Sequence, residues 1–387
     1  MTLRADPSGT PPGLDLLGPC GAEIACLFTP PFLALHRLSE VYTARVCLLL
    51  LLDLGWEARL RLGFSLDDLC QDLPTQARKP LAWMLPFLAG AGLLQHQGQT
   101  FLLTGAPDLD LQGLRSEVEV AAPGHLGNFD LLDGVRSHIR PFFIEGRSGE
   151  SLLFDLALFP LWLGYFRNEN LAYLPNNLLT LLALREGLPT GAKVLELGAG
   201  AGSFAQLVAQ RGAAEGWLDC IADYRYTDIA LAFLRRAQRD LRGTAPGLPL
   251  SFQSLDLNRD LGAQGIEAAS LDAIVGINVL HVAQNLERTL VDLRSRLRPG
   301  GRLVVGECMK PDLDRPLYLE FFFTFISSFT EVELDPQWRP RHGFLTPEAW
   351  AVALRHAGFS QVQATPPPRP LMDRHPDFTV GAMAATV

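Results

Sequence analysis

Val194-Leu195-Glu196-Leu197-Gly198-Ala199-Gly200-Ala201-Gly202-Ser203-Phe204 reads as a buried strand, a glycine loop and the start of a helix. Glycine permits a tight turn and lets a ligand lie against bare backbone. A glycine repeat alone says little, because glycine turns are common. Here the strand also delivers an acid, Glu196, two positions before the first glycine. A dinucleotide loop would space its glycines Gly-x-Gly-x-x-Gly, and a phosphate loop would read Gly-x-x-x-x-Gly-Lys. Gly198, Gly200 and Gly202 fit neither spacing.

Strands and helices alternate from Lys193 onward, the mark of a doubly wound parallel sheet, whose ligands gather at the carboxyl ends of the strands. A second strand, Ile221 to Thr227, ends at Asp228, and a third, Leu250 to Leu255, ends at Asp256-Leu257. A fourth, from Asp272, carries Asn278 and His281 at its carboxyl end. Arg298-Pro299-Gly300-Gly301 makes a turn before a fifth strand, Arg302 to Glu307. Gly358-Phe359 opens a sixth, Pro366 to Pro376 reads as a proline-rich connection, and Phe378 to Ala385 as a last strand.

The spacing Glu196-x-Gly198-x-Gly200-x-Gly202 resembles motif I of class I S-adenosylmethionine (SAM) methyltransferases. The resemblance implies an α/β, Rossmann-like sheet of seven strands with strand 7 antiparallel, and SAM as cofactor. Glu196, Gly198, Gly200 and Gly202 would then pass its amino-acid part. Asp228 would accept from the ribose hydroxyls, although it also suits the N-cap of the helix at Leu231. Asp256 would meet the adenine amino group, with Leu257 against the ring and Asn278 close by.

Tyr226-Thr-Asp-Ile229, Leu255-Asp-Leu-Asn258, Asn278-Val-Leu-His281, Pro299-Gly-Gly301 and Gly343-Phe-Leu-Thr-Pro-Glu-Ala-Trp350 look like the C-methyltransferase domains of polyketide synthases, over roughly residues 190–362. Ala230, where that family usually has Ser, is a departure. The family pairs a His after strand four with a Glu after strand five, which here are His281 and Glu307. A histidine of ordinary pKa near 6.5 suits proton abstraction at neutrality. A carboxylate on its other ring nitrogen fixes the tautomer and raises basicity. No metal is needed.

The first half reads differently. Residues 1–18 are expected to be flexible, and 19–110 follow the helix, helix, β-hairpin order of a winged helix. That order resembles the dimerisation domain of small-molecule O-methyltransferases and implies a homodimer. Residues 111–188 read as a helical linker or lid, and 189–387 as the SAM-binding domain. The segment 63–104 offers Asp67, Asp68 and Asp72 against Arg78 and Lys79. A recognition helix needs cations for phosphates, so nucleic acid is not an expected partner, and the net charge of −9 agrees.

Six scattered cysteines with no Cys-x-x-Cys suggest neither zinc nor disulfides. The apolar run Val46–Leu52 is far short of the roughly 20 residues a bilayer needs, so a cytoplasmic protein with no membrane partner is expected. The aromatic stretch Leu319–Phe329 reads as core, dimer packing or an acceptor pocket. Phe322, Phe325, Trp338 and Arg341 are the candidate substrate contacts. Arg339, Arg341 and His342 suit either a carboxylate or carrier phosphate, or a solvated loop. The substrate is expected to be a small oxygenated metabolite, free or carrier-tethered, methylated on carbon or oxygen. A non-catalytic SAM-binding scaffold, or an enzyme that binds SAM without methyl transfer, fits the same motifs.

Overall fold

The computed structural model describes residues 21–364 and 366–387. The stretch 1–18, expected to be flexible, and Cys20 lie outside them.

The first half is helical around one long element, Pro30–Asp53. Proline begins it where a missing N–H costs nothing. Its run Val46, Cys47, Leu48, Leu50 and Leu51 is buried within this chain. Shorter helices follow at Glu57–Leu62, Leu66–Cys70 and Arg78–Gly90. Ser65 and Asp68 cap the second reciprocally, each satisfying a backbone N–H of the first turn. A two-stranded hairpin follows, β1 (Gln95–Gln97) and β2 (Thr100–Leu102). Gly98 has φ +62° in its turn.

The second half is a seven-stranded sheet: β3 (Ala192–Leu197), β4 (Ile221–Asp228), β5 (Leu250–Ser254), β6 (Leu271–Ile277), β7 (Leu297–Cys308), β8 (Ser360–Ala364) and β9 (Val380–Thr386). The order is β5-β4-β3-β6-β7-β9-β8. Six strands point the same way, and β9 lies antiparallel between β7 and β8. The chain leaves β3 in one direction for β4 and returns across it for β6, so the crevice at the carboxyl end of β3 is the switch point.

Two apolar clusters cover the two faces. One, holding Leu195, Ile274 and Leu303, packs the helices Leu286–Arg296 and Pro347–His356. The other, holding Val194, Val275 and Val304, is continuous with the N-terminal helices. Helix Leu174–Arg185, buried at every position from Pro175 to Leu184, joins the two halves by packing on β7 and β9.

Two local readings differ from the sequence. The proline-rich connection contains a helix, Pro368–Arg374, because proline is tolerated in a first turn. β7 begins at Leu297 rather than Arg302. Its register against β6 jumps from Leu271↔Leu297 to Ala273↔Arg302, so Arg298–Gly301 bulges out, with Gly300 at φ +78°.

Candidate active site

Glu196 ends β3 pointing inward, 1% exposed, and accepts a hydrogen bond from the Tyr224 hydroxyl at 2.8 Å. Burial pushes its carboxyl up to about 8; the Tyr224 bond opposes the shift and the charge of Asp228 adds to it.

All three loop glycines are left-handed: Gly198 at φ +55°, Gly200 at +57° and Gly202 at +83°. A side chain at Gly198 would run into the Val279 methyls, whereas one at Gly200 would meet no more than the Gly198 carbonyl at 3.9 Å. The loop is therefore packed on the protein at Gly198 and open at Gly200. The Gly200 carbonyl accepts from the Tyr226 hydroxyl at 2.7 Å, and its N–H donates to Asp228 at 2.8 Å.

Asp228 is almost fully buried at the end of β4. One oxygen takes the Gly200 N–H and the other takes the Ala230 N–H at 2.7 Å. Burial raises its pKa against these backbone bonds. Asp228 is not the N-cap of Leu231–Thr244, a place taken by Ala230 without a side-chain cap; its carboxylate ties the turn before that helix to the glycine loop.

Asp256 is half-buried after β5. Its carboxylate accepts from Asn258 N at 2.9 Å, and Gln264 brackets its backbone. Leu257 is partly buried against the β6 side of the sheet. Asn278 is left-handed at φ +49°, and its side-chain oxygen accepts from Cys308 N at 3.0 Å. That bond ties the end of β6 to the end of β7.

His281 and Glu307 are both buried, at 2% and 0% exposure. His281 Nδ1 lies 2.7 Å from Glu307 Oε2. Glu307 Oε1 accepts the backbone N–H groups of Val279, Leu280 and His281 at 3.0–3.2 Å. One carboxylate therefore fixes both the short turn Leu280–Val282 and the imidazole it carries. With Nδ1 donating to an acceptor-only partner, Nε2 is left as the basic nitrogen. Phe344, Phe329 and Phe323 enclose the ring edge-on, with centroids 4.8, 5.5 and 6.1 Å away.

Phe323 and Phe329 belong to the aromatic stretch Leu319–Phe329 and Phe344 to Gly343–Trp350, but none of the three is among the four candidate substrate contacts. Of those four, Phe322 packs against Trp162 and Tyr165, and Phe325 against Phe142 and Phe143. Trp338 lies on His356, 4.4 Å between centroids, and Arg341 pairs with Asp314 at the surface, 61% exposed. No period could have sorted the rings, because 318–330 breaks into two 3-10 turns and a single helical turn.

A buried ion pair lies beside this wall. Lys310 Nζ is 3.2 Å from both Glu320 oxygens. Glu320 also accepts from Trp83 Nε1 at 2.9 Å, a contact from the N-terminal helices. From the other side, Asn168 and Asn177 hold Ser203, at the start of the loop helix, through bonds of 2.9 and 3.0 Å. The expected lid segment thus touches the glycine loop. A cavity of about 410 Å³ opens there against Ala201 and Ser203, walled by Phe166, Arg167 and Arg236. Neither Asp228 nor His281 lines it. No helix among the described residues is long and apolar enough to cross a membrane.

Residues 195–303 match the model of a methyltransferase domain family. That match, on a seven-stranded sheet with one antiparallel strand, identifies a methyltransferase domain of the class I fold. Curated relatives of that domain include lovastatin diketide synthase mokB of Monascus pilosus, 32% identical over 178 residues. Another is the hybrid PKS-NRPS synthetase thnA of Trichoderma harzianum, 35% identical over 176 residues. The matches cover 44% and 45% of this chain but only 6% and 4% of those proteins. Among solved structures, the CurJ carbon methyltransferase superposes over 96% of this chain and 98% of its own, with TM-score 0.75 at 21% identity. The citrinin polyketide synthase CMeT domain covers 97% and 94%, with TM-score 0.74 at 16% identity. At these identities the likeness is one of fold, and it extends across the N-terminal helices.

Proposed function

We propose that this methyltransferase domain alkylates the carbon between the two carbonyls of a β-ketoacyl thioester, free or held on a carrier. The observation that carries the reading is the buried His281–Glu307 pair, 2.7 Å apart, at the carboxyl end of the sheet that bears the glycine loop. The likeness in fold to a carbon methyltransferase favours carbon as acceptor, and a relative that is a PKS-NRPS synthetase favours an acyl substrate.

The rim fits SAM. Gly200 leaves room for a ligand against backbone, and Asp228 sets a carboxyl beside that loop, with Glu196 buried behind it. When bound, SAM would supply an electrophilic methyl group. Glu196, the glycine loop and Asp228 would hold it, with Asp256 and Leu257 at its adenine.

The chain's own residues do the rest. His281 Nε2 takes the proton from the acidic carbon, while Nδ1–H stays on Glu307. The imidazolium is stabilised by a carboxylate that three backbone N–H groups keep in place. Phe323, Phe329 and Phe344 exclude water from the ring and present an apolar wall to the acyl chain. Alignment of donor and acceptor supplies up to about 7–11 kcal/mol.

The test is incubation with methyl-labelled SAM and the N-acetylcysteamine thioester of acetoacetate, with mass spectrometry locating the label. The α-carbon should carry it. His281→Ala should lower turnover about 10²–10⁴-fold, the range of a general base, with SAM affinity by calorimetry unchanged. Label on oxygen, or full turnover in His281→Ala, would overturn the assignment.

A further inference from the structure

Glu307 holds only the first half of the turn that carries His281. The carbonyls at its far end point the other way, toward Arg339. The guanidinium of Arg339 donates through Nη2 to the His281 carbonyl and through Nη1 to the Ala283 carbonyl, the latter at 2.6 Å. Arg339 is 1% exposed, and its Nε has no partner among the described residues. Its backbone exchanges two 2.9 Å hydrogen bonds with Asp335 across a tight turn, and Asp335 caps that turn through Gln337 N at 2.7 Å. The same strap reaches the loop again at Glu333, which bonds Gln284 through its backbone and Asn285 through its side chain.

We infer that Arg339 is a positioning residue for the methyl-transfer base: with Glu307 it grips the His281 turn from both ends and sets the direction of the imidazole. The arrangement follows electrostatics. A short turn has positive N–H groups at its start and negative carbonyls at its end. The carboxylate sits at the first and the guanidinium at the second, so each charge is attracted to the end it holds. A planar fork can take two carbonyls at once, which an ammonium on a flexible stem does not reproduce. The chain bears a cost for this cation: burial pushes its pKa down to about 10. Arg339 is therefore not a contact for a substrate carboxylate or carrier phosphate, because its donors face the protein's own backbone.

The inference rests on His281 as the base, so His281→Ala is measured alongside. Turnover of acetoacetyl-N-acetylcysteamine by Arg339→Ala should fall about 10–100-fold, as expected for a misdirected base, with SAM affinity within about 2-fold of the parent. Guanidinium ion at about 20 mM should restore at least a few-fold of the loss in Arg339→Ala and nothing in His281→Ala, because only the first has the vacated fork. Arg339→Lys should lower kcat with KM unchanged. A His281→Ala variant of full activity sinks the base and this inference together. Inactive His281→Ala beside fully active Arg339→Ala sinks the positioning role alone, as does an Arg339→Ala loss that guanidinium leaves untouched while SAM still binds. If Arg339→Ala does not fold, Arg339→Lys decides: kcat within about 2-fold of the parent overturns the inference.

Discussion

Gly198 and Gly200 are two residues apart with nearly the same backbone, φ +55° and +57°, yet alanine should affect them in different ways. Both substitutions force an L-residue into the left-handed region, at about 1–2 kcal/mol. At Gly198 the new methyl also collides with Val279, whose side chain is nearly buried. Overpacking of that kind adds about 1–3 kcal/mol, so Gly198→Ala should lose about 2–5 kcal/mol in all. At Gly200 the methyl enters open space, and the fold should lose only the backbone strain. The same methyl stands where a ligand would lie on bare backbone, so SAM binding should weaken at least about tenfold, or 1.4 kcal/mol. Urea unfolding of the ligand-free proteins measures the first quantity and calorimetry with SAM the second. Equal stability losses would refute the packing argument. Undiminished SAM affinity in Gly200→Ala would mean that nothing rests against that residue.

Two further outcomes follow from buried charge. Glu196 keeps its proton in the folded protein from the ordinary carboxylate range near 4.5 up to about 8, while the unfolded chain releases it. The folded state thus binds the extra proton in that window, and the stability of the ligand-free protein falls as pH rises through it, levelling above 8. Glu196→Gln should flatten that fall, by an amount on the order of a few kcal/mol between pH 5 and 8, in urea unfolding; an unaltered pH profile would sink the argument. Lys310→Met strands Glu320 with only Trp83 Nε1 and Leu317 N as donors, which should cost about 3–5 kcal/mol by the same measurement. A loss below about 1 kcal/mol, the range of a surface pair, would mean that water reaches the pair.

The parallel sheet was legible because its strands are buried on both faces and read as continuous apolar runs between glycine turns. Val194–Leu197 and Ile274–Ile277 are buried throughout, as such strands require. Residues that end those strands could be placed by counting, which brought Glu196, Asp228, His281 and Glu307 into view together. What counting cannot supply is the direction of side chains on irregular backbone. The dyad's walls come from Phe323 and Phe329 in broken turns and Phe344 in a loop. Their neighbours Phe322 and Phe325 face the helical half instead. Arg339 carries a charge that on composition belongs at the surface; only tertiary contact shows it turned onto two carbonyls. Helix Leu174–Arg185 illustrates the same limit: a helix apolar on nearly every side can be core as readily as lid.

The position of β9 has a consequence for how the molecule is assembled. Val380–Thr386 supplies the ladder partner of both β7 and β8, so β8 has no neighbour among the described strands until β9 is made. On the ribosome, the parallel strands β3 to β7 can zip up early, but the outer rim of the sheet must wait until β9 has been made. Until then Ser360–Ala364 offers both of its backbone edges to any other chain, and a tag or fusion that delays β9 should show first as aggregation rather than as lost catalysis.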